Sequence, residues 1–455
     1  MTTPDKPPAK PIPPGARGSW RDAFAVYLQR RVLIVLLLGF SSGLPLALSG
    51  STLLVWMRES GVDLGTIGLF ALVGTPYTLK FLWAPLADAM HVPLLTRKFG
   101  RRRGWLLFSQ ALLIIAILLL ALTDPARSPL LVALGALLVA ATSSTQDIVV
   151  DAFRVESLPE SEQAAGMASY VAAYRIGLLV STAGALFLVS GFESTGIPRG
   201  EAWMWGYVVM AAMVLIGTMT ALIATEPERS VRAEAATSTE AAFSRVLHAA
   251  IGAFSEFLGR KDAWAALVFV VLFKFTDAFS GTMTAPFVID LGFTRNDYAA
   301  IVKGVGLAAT LIGGFAGGFV ARRYSLAASL WIGGVLQAVA NLSFSWLALS
   351  GVSQWALAFA ITAENFTSAI GTVIFVAYLS ALCRNPLHTA TQYALLTALA
   401  AVGRTYLSSG AGYVAKAVGW PLFFAICMLV AIPSLILLIW LQRRGHFEEL
   451  GPVKV

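Results

Sequence analysis

Asp147 and Asp151 lie four residues apart in TSSTQDIVVDAF, directly after a stretch from Ser128 to Gln146 that contains no charged residue. At that spacing both carboxyls share one face of a helix. A carboxylate in or beside hydrocarbon is costly; it usually faces protein or water and works on protons, ions or substrate. Like charges on adjacent turns disfavour simultaneous ionisation, so the pair suits the exchange of a single proton. The structural alternative is a helix cap or an ion pair with Arg154.

Further charges interrupt other apolar runs: Lys80, Arg175, Lys274, Asp277, Lys303, Glu364 and Arg404. Arg175 and Arg404 can clamp a carboxylate without losing their charge. Lys274 and Asp277 are i,i+3 neighbours that can neutralise each other or face a cavity. Glu364 has no base within four residues and is either a protonated packing group or the partner of a base on another helix. With Gln392 as a hydrogen-bonding amide, Arg175, Lys274, Asp277, Glu364 and Arg404 form the candidate substrate-binding set. On straight helices rising 1.5 Å per residue these charges spread along a path through the membrane rather than gathering at one site.

What positions them is a set of membrane-spanning helices. Of the 455 residues, 57% are hydrophobic and 13% charged, and the mean hydropathy is +0.74. A soluble domain carries about one quarter charged residues. Twelve apolar segments are long enough to cross, near 32–57, 64–88, 104–123, 129–153, 163–190, 203–224, 264–290, 297–321, 326–349, 355–381, 388–415 and 420–441, each needing about 20 residues. The chain reads as an all-α polytopic membrane protein. Its expected divisions are an N-terminal tail, 1–31, a six-helix bundle, 32–225, a linker, 226–262, a second six-helix bundle, 263–441, and a C-terminal tail, 442–455. The formal charge of +8 reflects topology rather than nucleic-acid binding. With both termini cytoplasmic, the outward segments hold only Arg58, Arg127, Arg199, Arg295 and Lys416, and most of the other bases face inward.

Enzyme chemistry has little to stand on. The chain lacks a Walker loop, an HExxH metal motif and a GxSxG elbow. Its four histidines lack ligand spacing, and Cys383 and Cys427 both lie in apolar segments, so neither a metal site, a cofactor nor a disulfide framework is expected. The stretch GGFAGGFVARRYS at Gly313 suits close helix packing. A faint internal repeat links Arg175 in the fifth segment to Arg404 in the eleventh, and LGFSSGL at Leu38 to FKFTDAF at Phe273.

The stretch ADAMHVPLLTRKFGRRRGW at Ala87 resembles a lengthened form of the major facilitator signature between the second and third helices. Asp88 is its acidic residue and Arg101 to Arg103 its basic end. That form is similar to the one in the AmpG family of muropeptide permeases. The stretches GFSSGLPLALSGSTLLVWMRESGVDLGTIG from Gly39, FLWAPLAD from Phe81 and TQDIVVDAFRVESL from Thr145 also resemble that family. The likeness is dense through five segments and thinner afterwards, where the FTD element at Phe275 and the Tyr393 region carry it.

The resemblance implies a major facilitator fold with about twelve helices in two six-helix halves. It implies a monomeric symporter of the bacterial inner membrane that imports anhydromuropeptides with protons by alternating access. Asp147 and Asp151 match the family's fourth-helix acidic motif and take its coupling role; Lys80, Asp88, Arg101 and Arg102 take that of a conformational gate. The TQD element also resembles acetyl-coenzyme A transporters, which makes an acyl thioester or another acidic metabolite the alternative cargo. A non-transporting scaffold or sensor is the alternative from a different class.

Overall fold

Apolar runs of this length form helices because hydrocarbon offers no partner for an unpaired backbone group. The computed structural model describes residues 25–84, 87, 90–227, 258–259, 261–383 and 389–450. Among these, ten helices are long and apolar enough to span: Arg30–Glu59, Arg101–Ala121, Pro129–Ser157, Ala165–Ser194, Arg199–Ile223, Ala263–Asp290, Arg295–Arg323, Leu326–Ser350, Gln354–Leu382 and Trp420–Arg443. Two broken segments, 64–84 and 389–418, complete twelve crossings. The protein is multi-pass and all-α. Asp88, Arg384, residues 1–24 and 451–455 and most of the linker lie outside the described residues.

The breaks have local causes. In the first segment Pro45 lacks an N–H and the helix stops at Leu48, restarting at Ser51 beyond Gly50. The second segment passes through short α and 3-10 turns, Leu64–Leu69, Phe70–Gly74, Thr75–Leu79 and Lys80–Leu82. Asp63 caps its start, accepting from the Gly65 and Thr66 amides at 3.0 and 3.3 Å, and the Thr66 hydroxyl holds this carboxyl below its ordinary range. The eleventh segment breaks at a 3-10 turn, Leu407–Gly410. The fifth and eighth contain π-helical stretches, Val180–Gly184 and Tyr298–Val305, a distortion frequent at functional sites. The ninth and tenth are divided cleanly: Gly351, at φ 76°, makes a turn disfavoured for other residues, and Ser353 caps the helix that follows.

Within the first half, the fifth segment packs on the first, and the third on the fourth and sixth. In the second, the tenth packs on the eighth and ninth, and the ninth on the twelfth. Gly313 and Gly317 let the eighth helix touch the backbone of the tenth at Phe366 and Ile370, as small residues in the GGFAGGF run permit.

The core is not uniform along the membrane normal. At the end away from the chain termini, called the far end below, one apolar cluster runs through both halves, from Leu44, Trp56, Trp203 and Tyr207 to Phe287, Phe344, Phe423 and Phe424. At the near end each half has a separate cluster, around Leu38, Leu106 and Phe153 in the first and around Phe269, Phe375 and Tyr378 in the second.

Candidate functional site

A cavity of about 610 Å³ lies between the halves, beneath the continuous core of the far end. Both distorted helices reach it, the fifth supplying Thr182 from its π turn and the eighth Tyr298, Val302 and Lys303 from its own. Tyr77 comes from the broken second segment and Asn365 from the tenth. The size is that of an ordinary ligand site.

Five charged residues line this space: Arg175, Asp277, Lys303, Glu364 and Arg404. The expectation of charges strung along a path is corrected here. Five of them line one chamber, Lys303 from a π stretch and the other four from regular helices, while Lys80, Asp147, Asp151 and Lys274 stand apart from it. Arg175 stands one turn before the π stretch of the fifth segment and Arg404 one turn before the 3-10 break of the eleventh. The residues paired by the internal repeat therefore face each other across the halves, and Tyr174 feels both charges.

The bases and acids differ in how they are satisfied. Among the described residues, no carboxylate lies within ion-pair distance of Arg175, Lys303 or Arg404. Lys303 rests 5.3 Å from the centre of the Tyr298 ring. Asp277 accepts from Lys274 Nζ at 3.0 Å and from the Ser368 hydroxyl at 2.7 Å, while Lys274 also donates to Thr372 at 2.9 Å. Lys274 thus serves as the partner of Asp277 and does not line the cavity. Glu364 accepts from Asn365 Nδ2 at 2.9 Å. Gln392 is buried in the eleventh segment, away from the cavity lining.

Asp147 and Asp151 stand in different surroundings despite their shared face. Asp147 is only 9% exposed and accepts a hydrogen bond from Ser42, which in turn accepts one from Tyr170 OH at 3.3 Å. Its charged neighbours are Lys80 and Asp151. The Asp151 side chain is 48% exposed and lies 3.6 Å from Arg154. Neither lines the cavity.

At the near end, Arg102 is buried and donates to Glu156 through Nε and Nη2 at 2.9 and 2.5 Å, with Arg101 3.4 Å from the same carboxylate. Glu226 accepts the backbone N–H groups of Arg102 and Arg103 at 2.8 and 3.0 Å. That carboxylate satisfies the exposed amides at the start of the third helix. Glu156 lies inside TQDIVVDAFRVESL but nothing in that stretch pairs it with Arg102, and Glu226 lies in no motif.

The far end holds a second unforeseen arrangement. Arg295 of the second half donates to Glu59 at 2.6 Å and to both Glu193 oxygens at 3.1 and 2.9 Å, all in the first half's direction. The Trp203 indole N–H donates to Glu59 at 3.1 Å, and Arg295 lies over the Trp203 ring. Arg58 pairs with Asp290, which also accepts from Trp420 at 3.1 Å. Lys416 lies 3.5 Å from Asp63. Gly68 and Gly412 bring the second and eleventh segments into backbone contact between these pairs; a Cβ on Gly412 would overlap Leu64 O.

Comparison with known proteins agrees with this architecture. Residues 35–408 match the Major Facilitator Superfamily. The anhydromuropeptide permease of Escherichia coli K12 is 39% identical over 427 residues, covering 94% of this chain and 82% of that protein. A transporter designated AmpG 4 from Rickettsia felis is 35% identical, covering 92% and 98%. Among solved structures, the nucleoside transporter NupG aligns over 93% of this chain and 100% of its own with a TM-score of 0.69 at 13% identity. A POT family transporter in complex with a thioalcohol-conjugated peptide aligns over 91% and 96% with a TM-score of 0.66, also at 13% identity. These two show the fold, an all-α polytopic one, while the sequence relatives establish the branch. The chain belongs to the Major Facilitator Superfamily and, within it, to the AmpG permeases.

Proposed function

We propose that this protein is a secondary active transporter that imports anhydromuropeptides across the bacterial inner membrane together with protons. The observation that carries the reading is the trio of bases, Arg175, Lys303 and Arg404, on a cavity between the halves, with no carboxylate in ion-pair distance among the described residues. Cations of this kind are uncommon beneath a membrane and call for an anionic ligand. An anhydromuropeptide brings carboxylates for these bases, a sugar face for Tyr77 and amides for Asn365. The 39% identity with the E. coli permease favours this cargo over acetyl-coenzyme A.

In this reading both termini are cytoplasmic and the near end faces the cell interior. The bundles 32–225 and 263–441 rock about the cavity, joined by 226–262. The far-end ion pairs then hold the periplasmic side shut and part when the cavity turns outward. Asp147, set behind the cavity wall against Ser42 and Lys80, and Asp151 handle protons in the first half, and Arg101, Arg102, Asp88 and Lys80 belong to the cytoplasmic gate. Binding and protonation must both favour reorientation, because a ligand held equally by both states shifts nothing.

Uptake of labelled anhydromuropeptide into proteoliposomes, competed with free anhydro-disaccharide, peptide and acetyl-coenzyme A, tests the assignment. Anhydromuropeptide is expected to compete best, and accumulation is expected to collapse with the pH gradient. Preferential competition by acetyl-coenzyme A would move the cargo to acyl thioesters.

A further inference from the structure

The two acids on the cavity are not equivalent. Asp277 is held by the Lys274 ammonium and the Ser368 hydroxyl, so its charge is answered inside the protein. Glu364 accepts one hydrogen bond, from the neutral amide of Asn365. Thr310 donates to Asn365 Oδ1 at 3.2 Å, which orients that amide with its Nδ2 toward Glu364. Among the described residues, no base lies within ion-pair distance of Glu364. The charged groups facing it are Asp277 and Lys274 from the seventh segment and Lys303 from the eighth.

We propose that Glu364 carries a proton whose binding is coupled, inside the cavity, to the binding of the anionic substrate. This rests on the transport reading above and adds a coupling site in the second half, separate from Asp147 and Asp151. When Glu364 is ionised, its carboxylate and the substrate's compete for the field of Lys303. When it is protonated, Lys303 is left uncompensated and takes the substrate carboxylate. The proton comes from water on one side of the membrane, forms one O–H bond on the glutamate, and returns to water on the other side after the substrate has left. By reciprocity, protonation strengthens substrate binding by the same factor as substrate strengthens proton binding. For unit charges several ångströms apart at an effective dielectric of about 20, that factor is on the order of tenfold or more. Asp277 does not fill the role, because losing its charge would strand Lys274.

Two transport modes separate the possibilities: accumulation driven by a pH gradient, and exchange of labelled for unlabelled anhydromuropeptide at equal pH on both sides. Glu364→Gln fixes the neutral state. It is expected to lower gradient-driven accumulation by roughly tenfold or more and to change the pH profile of the exchange that remains. Wild-type accumulation in Glu364→Gln, or exchange with an unchanged pH profile, would overturn the proposal. So would loss of both modes with recovery of both in Glu364→Asp, since that assigns the carboxylate to structure or binding alone. Asn365→Ala is the second variant should Glu364→Gln not assemble. It removes the single hydrogen bond while leaving the carboxyl in place, and is expected to displace the midpoint of the exchange–pH profile; an undisplaced midpoint overturns the idea. Failure of the transport reading itself would look different, as wild-type protein that exchanges no anhydromuropeptide.

Discussion

The two ends of the bundle are built on opposite plans. At the far end, Arg295, Arg58 and Lys416 reach across the halves to Glu59 and Glu193, Asp290 and Asp63, over an apolar core common to both. At the near end, Arg102 stays with Glu156 in the first half, Arg444 joins Asp262 where the linker and the tail flank the second, and each half keeps its own core. Among the described residues, no ion pair crosses the halves there. Charge at the far end therefore decides whether the halves meet, whereas charge at the near end rigidifies each half separately. A rocking transporter needs both, a contact that can be broken and bodies that do not deform when it breaks.

The strongest way to break this contrast is Arg295→Ala. The arginine side chain is 6% exposed and shared by two carboxylates, so removal takes the ion-pair partner from Glu59 and leaves Glu193 with Arg199 alone, and is expected to cost ~3–5 kcal/mol of far-end closure. Spin labels at Ala126 and Val352, exposed loop positions of opposite halves, are expected to report a longer and broader distance distribution. Arg102→Ala, although its side chain is equally buried, is expected to destabilise the first half by about 3 kcal/mol and to leave the Ala126–Val352 distances unchanged. Thermal unfolding and the same labels distinguish the two, and a widened far end in Arg102→Ala would dissolve the contrast.

Removing a cavity base acts between these ends. Arg175→Gln and Arg404→Gln are each expected to weaken anhydromuropeptide binding by about 1.5–3 kcal/mol, the worth of a hydrogen bond to a charged group, with no change in melting temperature beyond a few degrees. Isothermal titration checks this, and unchanged affinity in both would remove the arginines from the site. The smallest effect belongs to Lys416→Ala. That pair is 62% and 47% exposed, so less than ~1 kcal/mol of closure is expected, readable as little change in the label distances and a weak response to salt.

The sequence made the twelve crossings legible because their length is imposed by the bilayer and not by tertiary context. Even the short gap between the segments 326–349 and 355–381 resolves at Gly351, the residue suited to that turn. Arg175 and Arg404 were readable too, since a lone arginine in an apolar run at matching places in two halves has few structural uses. The chamber itself was not readable. Its charges come together through the packing of five segments around the cavity, and only Lys303 among them lies in a π stretch, whose composition does not set it apart from an α-helix. Lys303 was visible as a buried charge but could not be placed beside Tyr298 and Glu364 without the fold. The far-end clasp was visible only as bases on the sparse side of the charge count. Its acids sit more than a hundred residues away in sequence, or on the other half, and no local spacing pairs them. For Asp147 and Asp151, helical spacing gave the shared face but not the packing around it, so the burial of one and exposure of the other came only with the structure.

The central claim is that the three cavity bases serve an anionic cargo driven by protons. Accumulation of labelled anhydromuropeptide in proteoliposomes under an imposed pH gradient tests it most directly. Uptake above the external concentration, abolished when the gradient is collapsed and at least about tenfold lower in Arg175→Gln, is the predicted result. Uptake that ignores the gradient, or that survives the combined loss of Arg175, Lys303 and Arg404, would contradict it.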